Sequence, residues 1–280
     1  ADIDGEAAGD ISGYSVSLSS NGTILAIGAN GNDGTASNAG HVRIYQYSSG
    51  SWSQLGADID GEAAGDGSGC SLSLSDDGTI VAIGALDNDG TATGAGHVRI
   101  YEYSSGSWSQ LGADIDGEGA SDNSGFGVSL SSDGTIVAIG AYSNDDNGID
   151  AGHVRIYKYI SGSWSQLGSD IDGEAAGDYS GYKSISLSSN GTILAIGAPQ
   201  NDGTAGEAGH VRIYKYSSGS WSQRGADIDG EAAADASGWS VSLSSDGNIV
   251  AIGAVTNDGT GANSGHVRIY EYSSGSWSQL

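Results

Sequence analysis

One unit is repeated five times along the 280 residues, and this periodicity constrains the fold more than any other feature. The string Asp-Ile-Asp-Gly-Glu begins at Asp2, Asp58, Asp114, Asp170 and Asp227, and Gly-His-Val-Arg-Ile-Tyr begins at Gly40, Gly96, Gly152, Gly209 and Gly265. Both series step by 56 residues, with one step of 57 in the fourth copy. A period of this length implies units that each leave an apolar face open and bury it by stacking on the next. The extra residue falls in Tyr182-Lys183-Ser184-Ile185, where the first copy reads Tyr14-Ser15-Val16, and an insertion inside a strand predicts a β-bulge.

Within the first copy, Tyr14 to Ser19 alternates apolar residues with Ser, the period of a half-buried strand. Asn21-Gly22 is a hairpin signal. Thr23 to Ala29 is almost continuously apolar, as for a strand covered on both faces. His41 to Tyr47 alternates again, Ser48-Ser49-Gly50 makes a tight turn, and Trp52 to Leu55 gives a short fourth strand. No stretch has a helical apolar period with caps. Four antiparallel strands repeated five times predict an all-β, five-bladed β-propeller, a single domain over 1–280 with blades 1–56, 57–112, 113–168, 169–225 and 226–280. Short turns and long connections alternate, so the long loops all fall on one face, where a rigid scaffold commonly carries function.

Composition narrows the function classes. The net charge of −26, with 35 acidic residues against nine Lys plus Arg, excludes nucleic acid and anionic membrane as expected partners. No apolar run approaches the length of a membrane span. No signal peptide is visible, and the chain opens without Met at a repeat boundary, as a mature or excised fragment would. The lone Cys70 stands where the other copies have Tyr14, Phe126, Tyr182 and Trp239, which predicts a small core substitute.

Three stretches recur in every copy: Ser12-Gly13-Tyr14-Ser15-Val16-Ser17, Leu25-Ala26-Ile27-Gly28-Ala29 and Gly40-His41-Val42-Arg43-Ile44-Tyr45. In these the unit resembles the FG-GAP repeat of integrin α-type propellers. The resemblance implies a propeller with a binding or adhesive role in a surface or secreted protein. It departs from the family between the first two strands, where Ser19-Ser20-Asn21-Gly22-Thr23 replaces the family's Asp-rich Ca²⁺ loop, and in having five repeats where integrin-type propellers have seven.

Acidic residues gather on the long loops. Asp2, Asp4, Glu6 and Asp10 recur as Asp58, Asp60, Glu62 and Asp66; as Asp114, Asp116, Glu118 and Asp122; as Asp170, Asp172, Glu174 and Asp178; and as Asp227, Asp229, Glu231 and Asp235. Oxygen ligands at alternate positions followed by Gly resemble the start of a Ca²⁺ loop, and these are the candidate metal residues. The competing reading is that Asp and Gly shape turns and cap free N–H groups. Asp33, Asp89, Asp145, Asp202 and Asp258 on the other long loop are candidate ligand-binding residues. Arg43 and its copies are expected to pair with a loop carboxylate, since an unpaired guanidinium between blades is costly. His41 and its copies are expected to be structural, spaced too far apart to share one metal. Trp52 and its copies serve packing or, alternatively, sugar stacking.

Five near-equal repeats offer no single asymmetric cluster of nucleophile, base and oxyanion donors, so no enzyme is expected. The expected function is a non-catalytic binding or adhesion propeller, extracellular or at the cell surface, with a protein or glycan ligand and Ca²⁺ on its acidic face. The alternative is a multivalent lectin with up to five equivalent sites. The oligomeric state stays open.

Overall fold

The structure is a computed structural model and describes residues 2–280. Among these residues there are 24 strands and no helix, arranged in five antiparallel sheets that match a five-bladed, propeller-like arrangement. The first sheet comprises β1 (Ser15–Leu18), β2 (Ile24–Ala29), β3 (His41–Ser48), β4 (Ser51–Gln54) and, from the opening of the second sequence copy, β5 (Ile59–Asp60). The second contributes β6 (Ser71–Leu74), β7 (Ile80–Ala85), β8 (His97–Ser104), β9 (Ser107–Gln110) and β10 (Ile115–Asp116). The third follows with β11 (Gly127–Leu130), β12 (Ile136–Ala141), β13 (His153–Ile160), β14 (Ser163–Gln166) and β15 (Ile171–Asp172). The fourth has β16 (Ile185–Leu187), β17 (Ile193–Ala198), β18 (His210–Ser217), β19 (Ser220–Gln223) and β20 (Ile228–Asp229). The last has β21 (Ser237–Leu243), β22 (Ile249–Ala254), β23 (His266–Ser273) and β24 (Ser276–Gln279). The four main strands of each repeat lie within three residues of the runs read from the sequence.

The chain divides into two compact units, Ala1–Val137 with Lys158–Ser165, and Ala138–Tyr157 with Gln166–Leu280. In the first unit β1 to β4 pair consecutively, with Val16 opposite Ile27, Ile27 opposite Arg43 and Tyr47 opposite Trp52. The hairpin at Ser49-Gly50 holds both residues at positive φ (52° and 89°), the backbone that matches strand twist in a two-residue turn. At Asn21-Gly22 the side chain closes the turn instead, its Oδ1 accepting from the Thr23 amide (2.9 Å) and the Ser19 hydroxyl (3.0 Å).

Neighbouring repeats bury apolar faces against each other. In the first unit Leu72 and Leu74 of β6 join Ile24, Ala26, Val42 and Ile44 in one core, and Cys70 is buried as expected of a core substitute. The repeats approach so closely that a Cβ on Gly84 would lie 1.9 Å from the carbonyl oxygen of Gly125, which explains the fixed Gly of the second strand. In the second unit Ile193, Val211, Ile213, Val250 and Ile252 form the corresponding core, with Val241 and Leu243 packed on it.

Two features differ from the sequence reading. The residue inserted in the fourth repeat makes no bulge in a ladder: Lys183 takes a positive φ of 37° ahead of β16, whose pairing (Ile185 opposite Ile196) runs on unbroken. The register shift occurs instead in β21, between Ser237 and Ser240. The second difference is the short fifth strand. Ile59 and Asp60 leave their loop to pair with Val42 and His41 of β3. The alternation Asp-Ile-Asp drives this, burying Ile59 and turning Asp60 to solvent.

Candidate functional site

The short fifth strand, which opens each new copy of the sequence repeat, fixes the acidic loop on the sheet of the copy before it and aims the loop's end at its own copy. After Ile171-Asp172 comes Gly173, where a Cβ would lie 2.0 Å from the carbonyl oxygen of Ala151. Only Gly lets the chain turn there and present Glu174. Glu174 then divides its two oxygens: Oε1 faces Arg212 Nη1 at 3.3 Å and Oε2 faces His210 Nδ1 at 3.7 Å. Arg212 Nη2 also donates to the carbonyl of Asp172 at 2.7 Å, and its guanidinium lies 5.6 Å from the Tyr214 ring centroid. The loop that follows brings Asp227, so one ligand atom from each of Glu174, His210 and Asp227 lies within 4.8 Å of the others. Glu6, His41 and Asp58, and Glu62, His97 and Asp114, repeat this arrangement in the first unit. These clusters could hold a metal ion.

Burial pushes the His210 imidazole below its ordinary value, and Arg212 adds to this against the opposing pull of Asp227 and Glu174. His97 shows the same shift, from burial first and then Arg99. Both imidazoles are therefore neutral at neutral pH. The carboxyl of Asp172 still reaches water, yet partial desolvation and then the like charges of Asp170 and Asp146 push it up.

One groove stands out in size. In the second unit a 730 Å³ groove is lined by Asn147, Asp170, Asp172, Glu174, Arg212, Tyr214 and Trp221. Its equivalents beside Asp227 and Trp277, and beside Asp58 and Trp108 in the first unit, measure 200 and 230 Å³. Asn147 lines the large groove, its Nδ2 donating to the carbonyls of Gly173 (2.7 Å) and Glu174 (3.2 Å); at the equivalent position of the next repeat Thr204 Oγ1 donates to the carbonyl of Gly230 (3.1 Å). Asn147 follows Asp146 where the first copy reads Gly34-Thr35, a local departure that could have been read as a signal.

The candidate metal residues take several places. Asp10, Asp66, Asp122, Asp178 and Asp235 are buried and accept from a backbone amide three residues earlier, that of Ala7, Ala63, Gly119, Ala175 or Ala232. The Ala7 amide holds the Asp10 carboxyl below its usual range. Asn88, Asn201 and Asn257 bind Asp66, Asp178 and Asp235 from the other long loop. Asp4, Asp60, Asp172 and Asp229 offer their backbone carbonyls to Arg43, Arg99, Arg212 and Arg268. Asp116 pairs with His97 in the ladder of β10 and β8. Asp58, Asp114, Asp170 and Asp227 accept from Gln54, Gln110, Gln166 and Gln223, and Asp2 is exposed. Glu6, Glu62, Glu174 and Glu231 meet both the Arg and the His of their grooves, and Glu118 occupies the same loop position in the third copy. Asp33, Asp89, Asp145, Asp202 and Asp258 each close their own loop, accepting from the amide five residues on. The expected pairing of Arg with a loop carboxylate is thus observed, whereas spacing along the chain gave no sign that His41 joins carboxylates from two different loops.

No family model matches the chain, and no curated protein sequence matches it. Solved structures do. A provisionally assigned 6-phosphogluconolactonase from Bacteroides uniformis aligns with TM-score 0.64 at 13% identity, covering 95% of this chain and 70% of that one. The periplasmic gluconolactonase of Pseudomonas aeruginosa aligns with TM-score 0.62 at 14% identity over 96% and 71%. Hydrazine synthase of Kuenenia stuttgartiensis aligns with TM-score 0.58 at 12% identity over 92% and 64%. Such identities show a shared repeat β-propeller-like fold, which is not specifically the FG-GAP type. The expectations of a non-catalytic adhesion module, of a multivalent lectin and of no enzyme are corrected by the two gluconolactonase structures, since this fold carries hydrolases. The physical reason is visible here too. Near-identical repeats do not impose identical grooves: the groove beside Asp170 and Trp221 measures 730 Å³ and its equivalents 200 and 230 Å³.

Proposed function

We propose that the protein is a lactonase-like hydrolase that opens the ring of a polyhydroxylated lactone in the groove between Asp170 and Trp221. The observation that carries this reading is the 730 Å³ groove, in which carboxylates, an Asn and two aromatic rings converge. Tyr214 and Trp221 give the apolar face of a sugar-acid ring a surface to stack on. Asp170, Asp172 and Asn147 suit its hydroxyls. Glu174 is the candidate base for the attacking water, whose oxygen bonds to the lactone carbonyl carbon as the ring C–O bond breaks. Asp172, with its carboxyl pushed up, is the candidate donor of a proton to the departing ring oxygen. The products are a free hydroxyl and a carboxylate. The grouped carboxylates and the net charge of −26 disfavour a phosphorylated substrate and favour a neutral aldonolactone.

Glu174, His210 and Asp227 fit a divalent cation by their donor set of two carboxylates and a neutral imidazole. When bound, such an ion would polarise the lactone carbonyl as a Lewis acid. The imidazole suits Zn²⁺ or Mn²⁺ better than the expected Ca²⁺, which takes about six to eight oxygens. An extracellular or periplasmic setting is the accompanying inference, supported by the periplasmic gluconolactonase among the similar structures. No helix of the described residues is long and apolar enough to cross a membrane.

The test is acid release from glucono-δ-lactone, followed by pH-stat on chelated protein and after adding Mn²⁺, Zn²⁺ or Ca²⁺. Ring opening above the spontaneous rate is expected, falling at least about tenfold in Glu174→Gln, as when a proton-transfer group is lost. Ring opening at the spontaneous rate under every metal condition would overturn the reading.

A further inference from the structure

The first unit holds two side-chain clusters outside the large groove: Glu62, His97 and Asp114, and Glu6, His41 and Asp58. The first of them spans two sheets. Glu62 follows β5, which is paired with β3 of the first sheet, whereas His97 opens β8 of the second sheet and Asp114 directly precedes β10 on that same sheet. The backbone sets the reach of Glu62. The Gly61 amide donates to the Gly40 carbonyl at 2.8 Å, and a Cβ on Gly61 would lie 2.0 Å from the Ala39 carbonyl oxygen. A glycine at this point lets the chain press on the first sheet while it carries Glu62 towards the second.

Both carboxylates are held by one oxygen. Arg99 Nη1 lies 3.4 Å from Glu62 Oε1, and Gln110 Nε2 donates to Asp114 Oδ1 at 2.5 Å. His97 is 2% exposed, and no hydrogen bond of its side chain is found among the described residues. Its Nδ1 faces Glu62 Oε2 at 3.9 Å, beyond hydrogen-bond range. A buried imidazole without a partner is unusual. The separation is close to what a shared ion requires, since bonds of about 2.0–2.2 Å in a tetrahedral shell hold ligand atoms about 3.3–3.6 Å apart. Glu62 is 47% exposed and free to close that difference. The second cluster repeats the pattern: the buried His41 has its Nδ1 3.8 Å from Glu6 Oε2, and Gln54 Nε2 donates to Asp58 Oδ1 at 2.5 Å. We propose that the first unit binds two divalent cations of the Zn²⁺ class, one at Glu62, His97 and Asp114 and one at Glu6, His41 and Asp58, and that the ion at Glu62 staples the first sheet to the second. Two carboxylates against one guanidinium leave each cluster net negative, on a chain of net charge −26. The imidazole selects against Ca²⁺, and Arg99 and Gln110 orient the ligating carboxylates. The two sites stand whether or not the groove beside Asp170 opens a lactone.

Equilibrium dialysis of the chelator-treated chain against micromolar Zn²⁺ in millimolar Ca²⁺, with bound zinc counted by elemental analysis, tests this. All variants carry Glu174→Gln, so that an ion lost from the large groove is not mistaken for one lost from the first unit. Adding Glu62→Gln or Glu6→Gln is expected to remove one zinc per chain, and adding both to remove two. Both side chains are about half exposed, and unchanged circular dichroism without metal confirms that each variant is folded. Hydrogen exchange reads the staple: Zn²⁺ is expected to slow the amides of residues 61–70 when Glu62 is present and not in Glu62→Gln. An unchanged zinc count in either variant overturns the site to which its residue belongs, and displacement of the zinc by Ca²⁺ overturns both. Bound zinc without slower exchange in that loop overturns the staple.

Discussion

The indole Nε1 of Trp108 donates to the backbone carbonyl of Leu55 at 2.8 Å, across the junction between the first two repeats. Trp164 with Leu111, Trp221 with Leu167 and Trp277 with Arg224 make the same bond at 2.7 Å. The repeated Trp therefore ties each repeat to the one before it, and it also lines the groove at that junction.

Removing that donor is expected to loosen the junction. Trp108→Phe keeps an aromatic ring against Tyr103 but leaves the Leu55 carbonyl short of a partner, at a cost of about 1–2 kcal/mol. Trp52 stacks on Tyr47 in the first repeat, and no such bond of its indole N–H is found among the described residues, so Trp52→Phe should cost clearly less. Urea unfolding of both variants decides it; equal losses would mean that ring packing alone holds the junction.

Close backbone approach makes a sharper claim. Gly84→Ala forces a methyl into the Gly125 carbonyl and is expected to cost about 3 kcal/mol or more. At Gly253 the nearest atom to an added Cβ is the Ser240 hydroxyl, which can rotate away. Gly253→Ala is expected to stay within about 1 kcal/mol of wild type. Denaturation midpoints of the pair provide the check.

These expectations show what was legible in the chain. Strands β1 to β4 followed from alternation and turn residues because each signal is local. The two-residue strand at Ile59-Asp60 escaped notice because its acidic neighbours suggested ligands, although Asp-Ile-Asp already had a strand's period. The cluster of Glu174, His210 and Asp227 spans more than fifty residues and exists only once repeats pack, so no spacing along the chain could reveal it. Asn147 lines the large groove; its departure from the repeat is legible in the sequence, but its reach to the Gly173 carbonyl is not.

Acidification should weaken the protein through His210. Its pKa is lowered by burial and then by Arg212, whereas the unfolded imidazole titrates near 6.5. As pH falls through that value the unfolded chain takes up a proton that the native imidazole resists, so native stability is lost; above it the penalty is absent. His210→Asn removes this titration. The melting temperature of wild type relative to that variant should fall between about pH 7.5 and about pH 5.5. A difference that does not change with pH would contradict a neutral, buried His210.

Two acidic residues on one loop should separate loop stability from ion binding. Asp178 accepts from the Ala175 amide and from Asn201, so Asp178→Ala is expected to cost about 1–3 kcal/mol and leave Mn²⁺ affinity unchanged. Glu174→Gln should weaken Mn²⁺ binding with little effect on melting. Titration calorimetry and thermal scans on both variants measure the two effects side by side.

The contact between Gly84 and Gly125 belongs to two repeats at once, and this bears on how such a chain can change over generations. Unequal recombination that adds or deletes one whole repeat preserves every such junction, because each new neighbour brings the same Gly to the same carbonyl. Drift within a single repeat meets the opposite response, since a change on its buried side must be answered in the adjoining copy. The number of copies is thus free to vary while their buried sequence is held uniform, and novelty is confined to the loops.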